Sequence, residues 1–386
     1  MTESPRLPAG VYLLAFSLFA MGSAEFLMAG VLPSVATDLG VSLSSAGALI
    51  TAFALGVVLG GPPFAVLSLK WPRRTALMTT QLVFATAIAA GLLADDYWIL
   101  LATRFVAGLA YAGFFAVAAV TAISLVTPDR NARASGVVVA GLSVAMVAGG
   151  PAGTLLSNFT DWTGGFWGVV ALTVLGVVAC AVGLPATASA APSLSGELRA
   201  MRSWRLWGVY AVTILSTASY MVSFNYLSAM LADVLPAVWI PAVLALFGIG
   251  AFAGLSLGGR IADRRPHHAL LGGVLGIAVF SALLALFAAS AWIVVPLVFL
   301  LGIAAFVVNP ALYGRVFAIA GSAPTLAGAT TVSAFQLGIS LTPAFAAGAL
   351  NLGASLTAIP WIGAALALLA VPLVLLDRSH DRLLIC

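Results

Sequence analysis

Charged side chains are scarce in this sequence, and their scarcity excludes a water-soluble globular protein. Only 7% of the 386 residues are charged and 62% are hydrophobic, and the mean hydropathy is +1.14. A soluble domain carries about 25% charged residues, so this chain has too few to cover a soluble surface. We therefore expect an all-α integral membrane protein.

Several chemical motifs are also missing. Two cysteines, Cys180 and Cys386, provide no disulfide framework, and the three histidines lack metal-ligand spacing. The only lysine, Lys70, lies outside any GxxxxGK[ST] pattern, which excludes ATP drive through a P-loop. We expect no metal, no cofactor and no enzymatic activity.

Twelve apolar segments follow one another, and each is at least as long as the roughly 20 residues that a membrane-crossing helix needs. They are solid blocks rich in Ala, Gly, Val and Leu, unlike the short alternating segments of a β-barrel. The predicted spans 1 to 12 are residues 11–33, 45–69, 75–94, 97–126, 135–157, 164–185, 206–232, 237–259, 267–289, 291–317, 325–350 and 353–376.

Basic residues alternate between the two sides of these spans. Fifteen of the 16 Lys and Arg residues fall in one set of termini and loops. The other set of loops has no basic residue, and its charged residues are Asp38, Asp95, Asp96, Asp161 and Asp233. The positive-inside rule then places both termini in the cytoplasm of a cell, which we expect to be bacterial. The net charge of +4 therefore reflects topology and gives no reason to expect nucleic-acid binding.

A more polar stretch divides the chain into two halves of six spans each. We predict a first half at residues 1–185, a cytoplasmic linker at 186–205 and a second half at 206–386. The halves echo each other after their second spans, in "GPPFAVLSLKWPRR" at 61–74 and "LGGRIADRRPHHAL" at 257–270. Parallel repeats of this kind occur in transporters, with the substrate site between the halves near the midplane.

Four motifs make the chain resemble the twelve-helix drug:proton antiporters of the major facilitator superfamily. They are the repeated loop segments just quoted, "LATRFVAGLAYAG" in span 4, "GLSVAMVAGGPAGT" at 141–154 in span 5 and "AEFLMAGVLPSVATDLGVS" in span 1. The first loop copy departs from the family pattern at Ala65, Leu69 and Pro72. Through "FAMGSAEFLMAGVLP" and "GGPAGTLLS" the chain is most similar to the chloramphenicol-resistance exporters of actinomycetes.

The resemblance implies a major facilitator fold and an inner gate of charged residues at the cytoplasmic side. The matching positions are Lys70, Arg73, Arg74, Asp263 and Arg264. Because Leu69 replaces the first-half aspartate, the lock would be one-sided. A plain topology signal is the alternative reading of these charges.

Two ionisable residues, Glu25 and Arg104, lie inside the predicted spans. Glu25 is eight residues before Pro33 and Arg104 is seven residues after Tyr97, which places them at similar depths of roughly 12 and 10 Å. An intramembrane charge indicates a functional site. Burial favours a neutral acid and a nearby guanidinium favours the carboxylate, so we predict that Glu25 carries protons beside Arg104. A structural ion pair is the alternative.

Small residues and a proline in span 5 predict a bent, flat helix face on which the halves rock, as the resemblance also implies. Close packing of membrane helices is the alternative. The residues are Gly141, Gly149, Gly150, Pro151 and Gly153.

Polar residues near the middle of the spans expected to line the cavity are candidates for substrate binding: Tyr111, Asn225, Tyr226, Asn309 and, more weakly, Gln336. Each is equally suited to joining helices. The expected function is proton-driven export of a small amphipathic drug, with chloramphenicol as the expected substrate, by a monomer in the lipid bilayer. An exporter of sugars or nucleosides is the alternative; a channel lacks the required polar pore.

Overall fold

The computed structural model describes residues 7–67, 71–127, 130–185, 201–320 and 324–383, and every regular element in them is helical. Twelve helices are long and apolar enough to cross a membrane, which confirms the predicted number. In the first half the helices are Ala9–Asp38, Leu43–Leu67, Arg73–Leu93, Tyr97–Ser124, Asn131–Val144 continuing through Ala145–Gly149 into Gly150–Phe159, and Trp162–Gly183.

The second half repeats the pattern of six spans with short extra turns. Its helices are Trp204–Asn225 with Leu227–Leu231, Ala237–Trp239 with Ile240–Ala262, Pro266–Leu286, Ala291–Ala320, Pro324–Asn351, and Leu356–Ala358 with Ile359–Leu383. Most of the predicted linker, residues 186–200, lies outside the described residues, and its last two residues already belong to the helix that begins at Trp204.

Span 1 is longer than its sequence predicts, because the helix passes through Pro33 and ends at Asp38. A proline has no N–H to donate to the carbonyl four residues earlier, which here is Ala29. That carbonyl instead accepts a hydrogen bond from the hydroxyl of Ser228 in the second half. The carbonyl that Pro33 leaves free therefore takes part in a contact between the halves.

Span 5 changes its helical geometry just before Pro151. Ala145–Gly149 is π-helical, and the Gly150 N–H donates to the Ala145 carbonyl five residues earlier. A π-turn is wider than an α-turn and is common at functional sites. Pro151, which has no N–H of its own, lies at the start of the α-helix that follows.

The loops define two ends of the bundle. We call the end with Asp38, Asp95, Asp96, Asp161 and Asp233 the acidic end, and the opposite end the basic end. At the acidic end Asp161 caps span 6, because it accepts hydrogen bonds from the backbone N–H groups of Thr163 and Gly164. Hydrogen bonds from Thr163 lower the pKa of Asp161.

Four hydrogen bonds with both partners among the described residues join the two halves. They are Asn158 to the Ala237 carbonyl, Ser228 to the Ala29 carbonyl, Thr51 to the Ser340 carbonyl, and Gln336 to Glu25. Along their spans, the first three pairs lie nearer the acidic end than the fourth does. Phe26 also meets Phe224 across the halves, with ring centroids 6.3 Å apart. The halves are therefore joined at the acidic end down to the level of Glu25.

Candidate functional site at the membrane centre

Glu25 lies near the middle of span 1 and faces the second half. Its neighbours Ala24 and Phe26 are buried, whereas Glu25 keeps a partly exposed surface. The helix begins at Ala9 and ends at Asp38, so Glu25 lies about 24 Å along the helix from its first residue and about 20 Å from its last. This is deeper than the sequence estimate based on Pro33.

Gln336 of span 11 is the hydrogen-bond partner of Glu25. Its Nε2 donates to the Glu25 Oε1 at 3.0 Å. The glutamine side chain is buried, and its Oε1 has no hydrogen-bond partner. Gln336 was the weakest of the substrate-binding candidates in the sequence, yet the structure brings it directly to the predicted proton carrier.

Arg104 of span 4 lies beside span 1, at the residue that precedes Glu25. It is 2% exposed, and its Nη1 donates to the Ala24 carbonyl at 3.4 Å. Its guanidinium carbon is 4.7 Å from the centroid of the Phe53 ring and 5.7 Å from that of Phe166. These distances allow cation–π attraction, which is stronger when the cation is desolvated.

No ion pair within 4.0 Å joins Arg104 to Glu25 among the ion pairs of the described residues. The Nε of Arg104 is buried without a hydrogen-bond partner. The two residues do interact electrostatically. The sequence therefore predicts their common depth and proximity, but the structure holds them as neighbours rather than as a bonded pair.

Tyr111 lies about two turns farther along span 4 and packs on the same aromatic ring as Arg104. Its ring centroid is 5.7 Å from that of Phe53, and its hydroxyl lies 3.9 Å from where a Cβ of Gly22 would be. Gly22 is three residues before Glu25, on the same side of span 1. Tyr111 therefore belongs to the surroundings of Glu25, as its candidacy requires.

The candidates of span 7 join helices. Asn225 donates from Nδ2 to the Thr342 hydroxyl at 2.8 Å, linking spans 7 and 11. Tyr226 is fully buried at the break between the two helices of span 7, and its hydroxyl packs against Gly47 of the first half. For Asn225 the observed contact is the helix-joining role that was the alternative to substrate binding.

Asn309 of span 10 is partly exposed and makes no hydrogen bond with any described residue. Pro310 follows it inside the helix. No described hydrogen bond therefore joins this candidate to the Glu25 site or to another helix.

Aromatic rings form a wall from the first half into the second near this level. Phe224 follows Phe26 across the halves, and its centroid is 4.6 Å from that of Phe247. Tyr220 then packs against both Phe247 and Phe306, at 6.4 and 5.7 Å. Ring pairs at such distances stabilise each other beyond the effect of burying their area.

The four glycines of the predicted span 5 face pack against span 1. A Cβ at Gly150 would lie 2.7 Å from the Cβ of Phe26, and one at Gly153 would lie 3.0 Å from Leu27. Likewise, Gly141 meets the carbonyl of Ala15, and Gly149 meets the hydroxyl of Ser23. The predicted face between the halves is therefore a face within the first half that supports the helix carrying Glu25.

Contact between the halves occurs elsewhere on span 5, at its π-helical turn. A Cβ at Gly248 of span 8 would lie 2.7 Å from the Cα of Val147 and 3.0 Å from the Met146 carbonyl. Only glycine permits this close approach of span 8 to the backbone of span 5. The sequence analysis did not single out Gly248.

Four of the five residues of the predicted inner gate belong to the described part of the chain. Lys70 lies outside the described residues, Arg73 is buried with an unpartnered Nε, and Arg74 is partly exposed. Asp263 and Arg264 are exposed, and no described ion pair includes Asp263. The gate stays a prediction.

A charge cluster that sequence reasoning missed lies toward the basic end of the second half. Arg315 of span 10 binds both carboxylate oxygens of Asp377 of span 12, at 2.9 and 2.8 Å. His267 at the start of span 9 lies 3.2 Å from the same carboxylate. The signal available in the sequence was Asp377 itself, an acid that directly follows the apolar run of span 12.

Asp38, which the sequence analysis places in a loop, is the last residue of the span 1 helix. Its Oδ2 accepts a hydrogen bond from the indole N–H of Trp162 at 2.7 Å.

The carboxyl group of Glu25 can hold or release one proton, and the aromatic rings nearby can contact an aromatic molecule. No group of residues suited to a metal ion occurs in the described part of the chain.

Comparison with known sequences gives one family and a consistent set of relatives. The sequence profile described as Major Facilitator Superfamily matches residues 14–343. A chloramphenicol resistance protein of Streptomyces lividans is 37% identical over 348 residues, which cover 88% of this chain and 89% of that protein.

More distant relatives are also transport proteins. The inner membrane transport protein YdhP of Escherichia coli is 30% identical, with 97% of each chain covered. A chloramphenicol efflux pump of Mycobacterium tuberculosis is 28% identical over 87% of this chain and 84% of the pump. Among solved structures, the nucleoside transporter NupG shares the fold with a TM-score of 0.77, at 12% identity and with 96% and 99% of the two chains covered.

Proposed function

This chain belongs to the major facilitator superfamily and is a multi-pass transporter of the plasma membrane, and from that premise we propose that it exports chloramphenicol in exchange for protons. Relatives named for chloramphenicol resistance and efflux support the substrate. The surroundings of Glu25 support the coupling to protons.

The observation that carries the proposal is the position of Glu25. It is the only acid in the middle of any span, it is partly exposed, and its bonding partner belongs to the other half of the molecule. An ionised carboxylate in hydrocarbon is costly, whereas the neutral, protonated carboxyl costs far less. A change in the protonation of Glu25 therefore alters which arrangement of the halves is favoured.

The charge of the loops predicts the orientation of the chain in the membrane, and the proton gradient across that membrane then gives the direction of transport. With the basic end in the cytoplasm, the acidic end, where the halves are joined, faces outward. A cycle in which Glu25 takes up a proton from the outer side and releases it inside then exchanges protons for drug moving outward.

The substrate chemistry follows from the groups near Glu25. Near Glu25 lie the amide of Gln336, Tyr111 of span 4 and the adjacent ring of Phe26, which meets Phe224 of the second half. A mostly apolar cavity with a few polar groups suits a neutral aromatic molecule with hydroxyl and amide groups, and chloramphenicol is such a molecule.

Replacement of the acid tests the coupling. We expect Glu25→Gln to abolish uncoupler-sensitive chloramphenicol efflux from cells while the protein remains inserted in the membrane. Asp38→Asn is the matched control, because Asp38 is an acid of the same helix at its exposed end, and it should retain efflux. Measurement is accumulation of labelled chloramphenicol with and without an uncoupler.

Two outcomes would overturn the proposal in different ways. Accumulation unaffected by the wild-type protein would exclude chloramphenicol as substrate. Full efflux by Glu25→Gln, still abolished by the uncoupler, would show that another group carries the proton. Sugar or nucleoside export, the alternative, would be favoured if only those compounds compete for transport.

A further inference from the structure

Span 10 carries an uncharged face of aromatic and polar side chains. Phe306, Asn309 and Tyr313 are partly exposed, whereas most residues between them are buried. Their spacing of three and four residues places them on one side of the helix. We call these three residues the span 10 face; of the three, only Asn309 was a candidate in the sequence.

Ring contacts show that the span 10 face is turned toward the interior of the bundle and away from lipid. Phe306 packs against Tyr220 of span 7, with ring centroids 5.7 Å apart. Tyr313 packs against Phe335 of span 11 at 5.6 Å. Tyr313 also interacts electrostatically with Tyr111 of the first half. The face therefore lies opposite the first half, near the surroundings of Glu25.

The span 10 face lies on the basic side of the level at which the halves are joined. Asn309 lies about 27 Å along its helix from Ala291 at the acidic end, whereas Glu25 lies about 20 Å from the acidic end of span 1. Side chains of a helix lean toward its N-terminus, so those of Asn309 and Tyr313 lean back toward the level of Glu25. Because the halves are joined at the acidic end, a molecule reaches this face from the basic end.

The polar groups of the span 10 face are available to a ligand. Neither the Asn309 amide nor the Tyr313 hydroxyl makes a hydrogen bond with a described residue. Pro310, inside the helix, has no N–H and cannot donate to the Phe306 carbonyl. Asn225 of span 7, by contrast, is occupied in joining two helices. Polar groups without protein partners on a mostly apolar surface are what orient a ligand in a binding site.

The chemistry of the span 10 face suits a neutral aromatic molecule with polar substituents. Its rings can pack against a ring of the ligand, and a carboxamide both donates and accepts hydrogen bonds. The charged residue of this helix, Arg315, is bound to Asp377 instead. The face therefore distinguishes molecules by shape and by hydrogen bonds, without using a charge.

We propose that Asn309 and Tyr313 are specificity-determining residues of the transporter. The Tyr313 ring packs against an aryl group of the substrate, and the Asn309 amide bonds to a hydroxyl or amide group about 6 Å away, one helical turn along. The inference rests on the proposed function in one respect, that the substrate is a neutral aromatic compound such as chloramphenicol. That molecule joins a nitrophenyl ring to a short chain with two hydroxyl groups and an amide.

Equilibrium binding of labelled chloramphenicol to the purified protein in detergent tests both contacts. We expect Asn309→Leu to weaken binding about fivefold, because a neutral hydrogen bond is lost. Tyr313→Leu should weaken it by about the same factor, because a ring contact is lost. Tyr313→Phe keeps the ring and should bind nearly as the wild type does.

The chain offers matched controls outside the span 10 face. Asn351 is exposed at the end of span 11, and Tyr12 is 49% exposed near the start of span 1. Asn351→Leu and Tyr12→Leu remove the same types of side chain and should leave the affinity unchanged. Wild-type affinity in Asn309→Leu and Tyr313→Leu would overturn the proposal.

Protection of a cysteine locates the ligand even if the leucine variants do not fold. Cys386 is replaced by serine, Cys180 stays because it is buried, and Asn309→Cys is labelled with a maleimide in the purified protein. Saturating chloramphenicol should slow this labelling several-fold. His268→Cys, at an exposed position near the start of span 9, should be labelled at one rate with and without the drug. Equal rates at Asn309→Cys would contradict the inference.

A second ligand separates this inference from the proposed function. Adenosine is also neutral and joins an aromatic ring to hydroxyl groups. If chloramphenicol does not bind, but adenosine binds and both leucine variants weaken it, the proposed substrate is wrong and the role of the span 10 face stands. If chloramphenicol is exported and bound, but the leucine variants bind it as the wild type does, the proposed function stands and the inference fails. If neither compound binds, the inference fails as well.

Discussion

The fourth span of each half carries a buried arginine, and the two arginines have different surroundings. Arg315 of span 10 is bound through two hydrogen bonds to Asp377 of its own half. Arg104 of span 4, the counterpart span of the first half, has no carboxylate within 4.0 Å among the described ion pairs, and it lies between two phenylalanine rings. The charge of Arg315 is compensated within its own half, whereas the charge of Arg104 remains available to act on Glu25.

The difference follows from what surrounds each cation. A paired guanidinium has its field cancelled locally, and removal of either partner leaves an uncompensated charge. Aromatic rings attract a cation but carry no net charge, so Arg104 still acts on Glu25 at the next residue of span 1. The same residue type therefore fixes the basic end of the second half and adjusts the site of the first.

The largest effect that distinguishes the two arginines is on transport. We expect Arg104→Met to reduce chloramphenicol efflux to the background level of Glu25→Gln, because the carboxyl loses its nearby cation. Arg104→Lys, which keeps the charge but not the planar stacking, should retain part of the activity. Drug accumulation in cells is the measurement; wild-type efflux by Arg104→Met would remove the distinction.

The next effect is on stability and points the opposite way. Arg315→Met leaves Asp377 without its guanidinium at a nearly buried position, and we expect a loss of about 3 kcal/mol in the free energy of unfolding. Thermal unfolding in detergent measures it, with Arg315→Met/Asp377→Leu as the control that recovers most of the loss. Arg104→Met should change the melting temperature little, and an equal fall for both arginines would contradict the comparison.

The smallest effect concerns the ring beneath Arg104. Phe53→Leu removes a cation–π contact at 4.7 Å, and a double-mutant cycle with Arg104→Met should give a coupling free energy of about 1 kcal/mol. The cycle is needed because Phe53 also packs against Tyr111. Additive effects of the two changes on thermal unfolding would mean that the ring does not stabilise the cation.

The local properties of the spans are predictable from the sequence. Length and hydropathy give the twelve helices, and the rise per residue along spans 1 and 4 places Glu25 and Arg104 at one level. The predicted end of span 1 at Pro33 is wrong. The helix continues past Pro33, and the carbonyl that this proline leaves free accepts a hydrogen bond from Ser228, a residue far away in the sequence.

Contacts between distant spans are not predictable in the same way. Nothing in the local pattern tells that Gln336 meets Glu25, that the span 5 glycines face span 1, or that Arg315 meets Asp377. Helical periodicity shows which residues share a face but not which helix covers it. The sequence therefore predicts the central residue of the site, Glu25, whereas the residues that contact it are known only from the packing of the helices.

The π-helical turn at Ala145–Gly149 also sets the rotational phase of span 5. It holds one residue more than an α-helical turn, and each residue of an α-helix rotates the side chain by about 100°. A chain one residue shorter at this point would turn Thr154 away from Gly30 and Asn158 away from Ala237. The fit of span 5 to its neighbours beyond the turn thus depends on a single residue of chain length, independent of which side chain that residue carries.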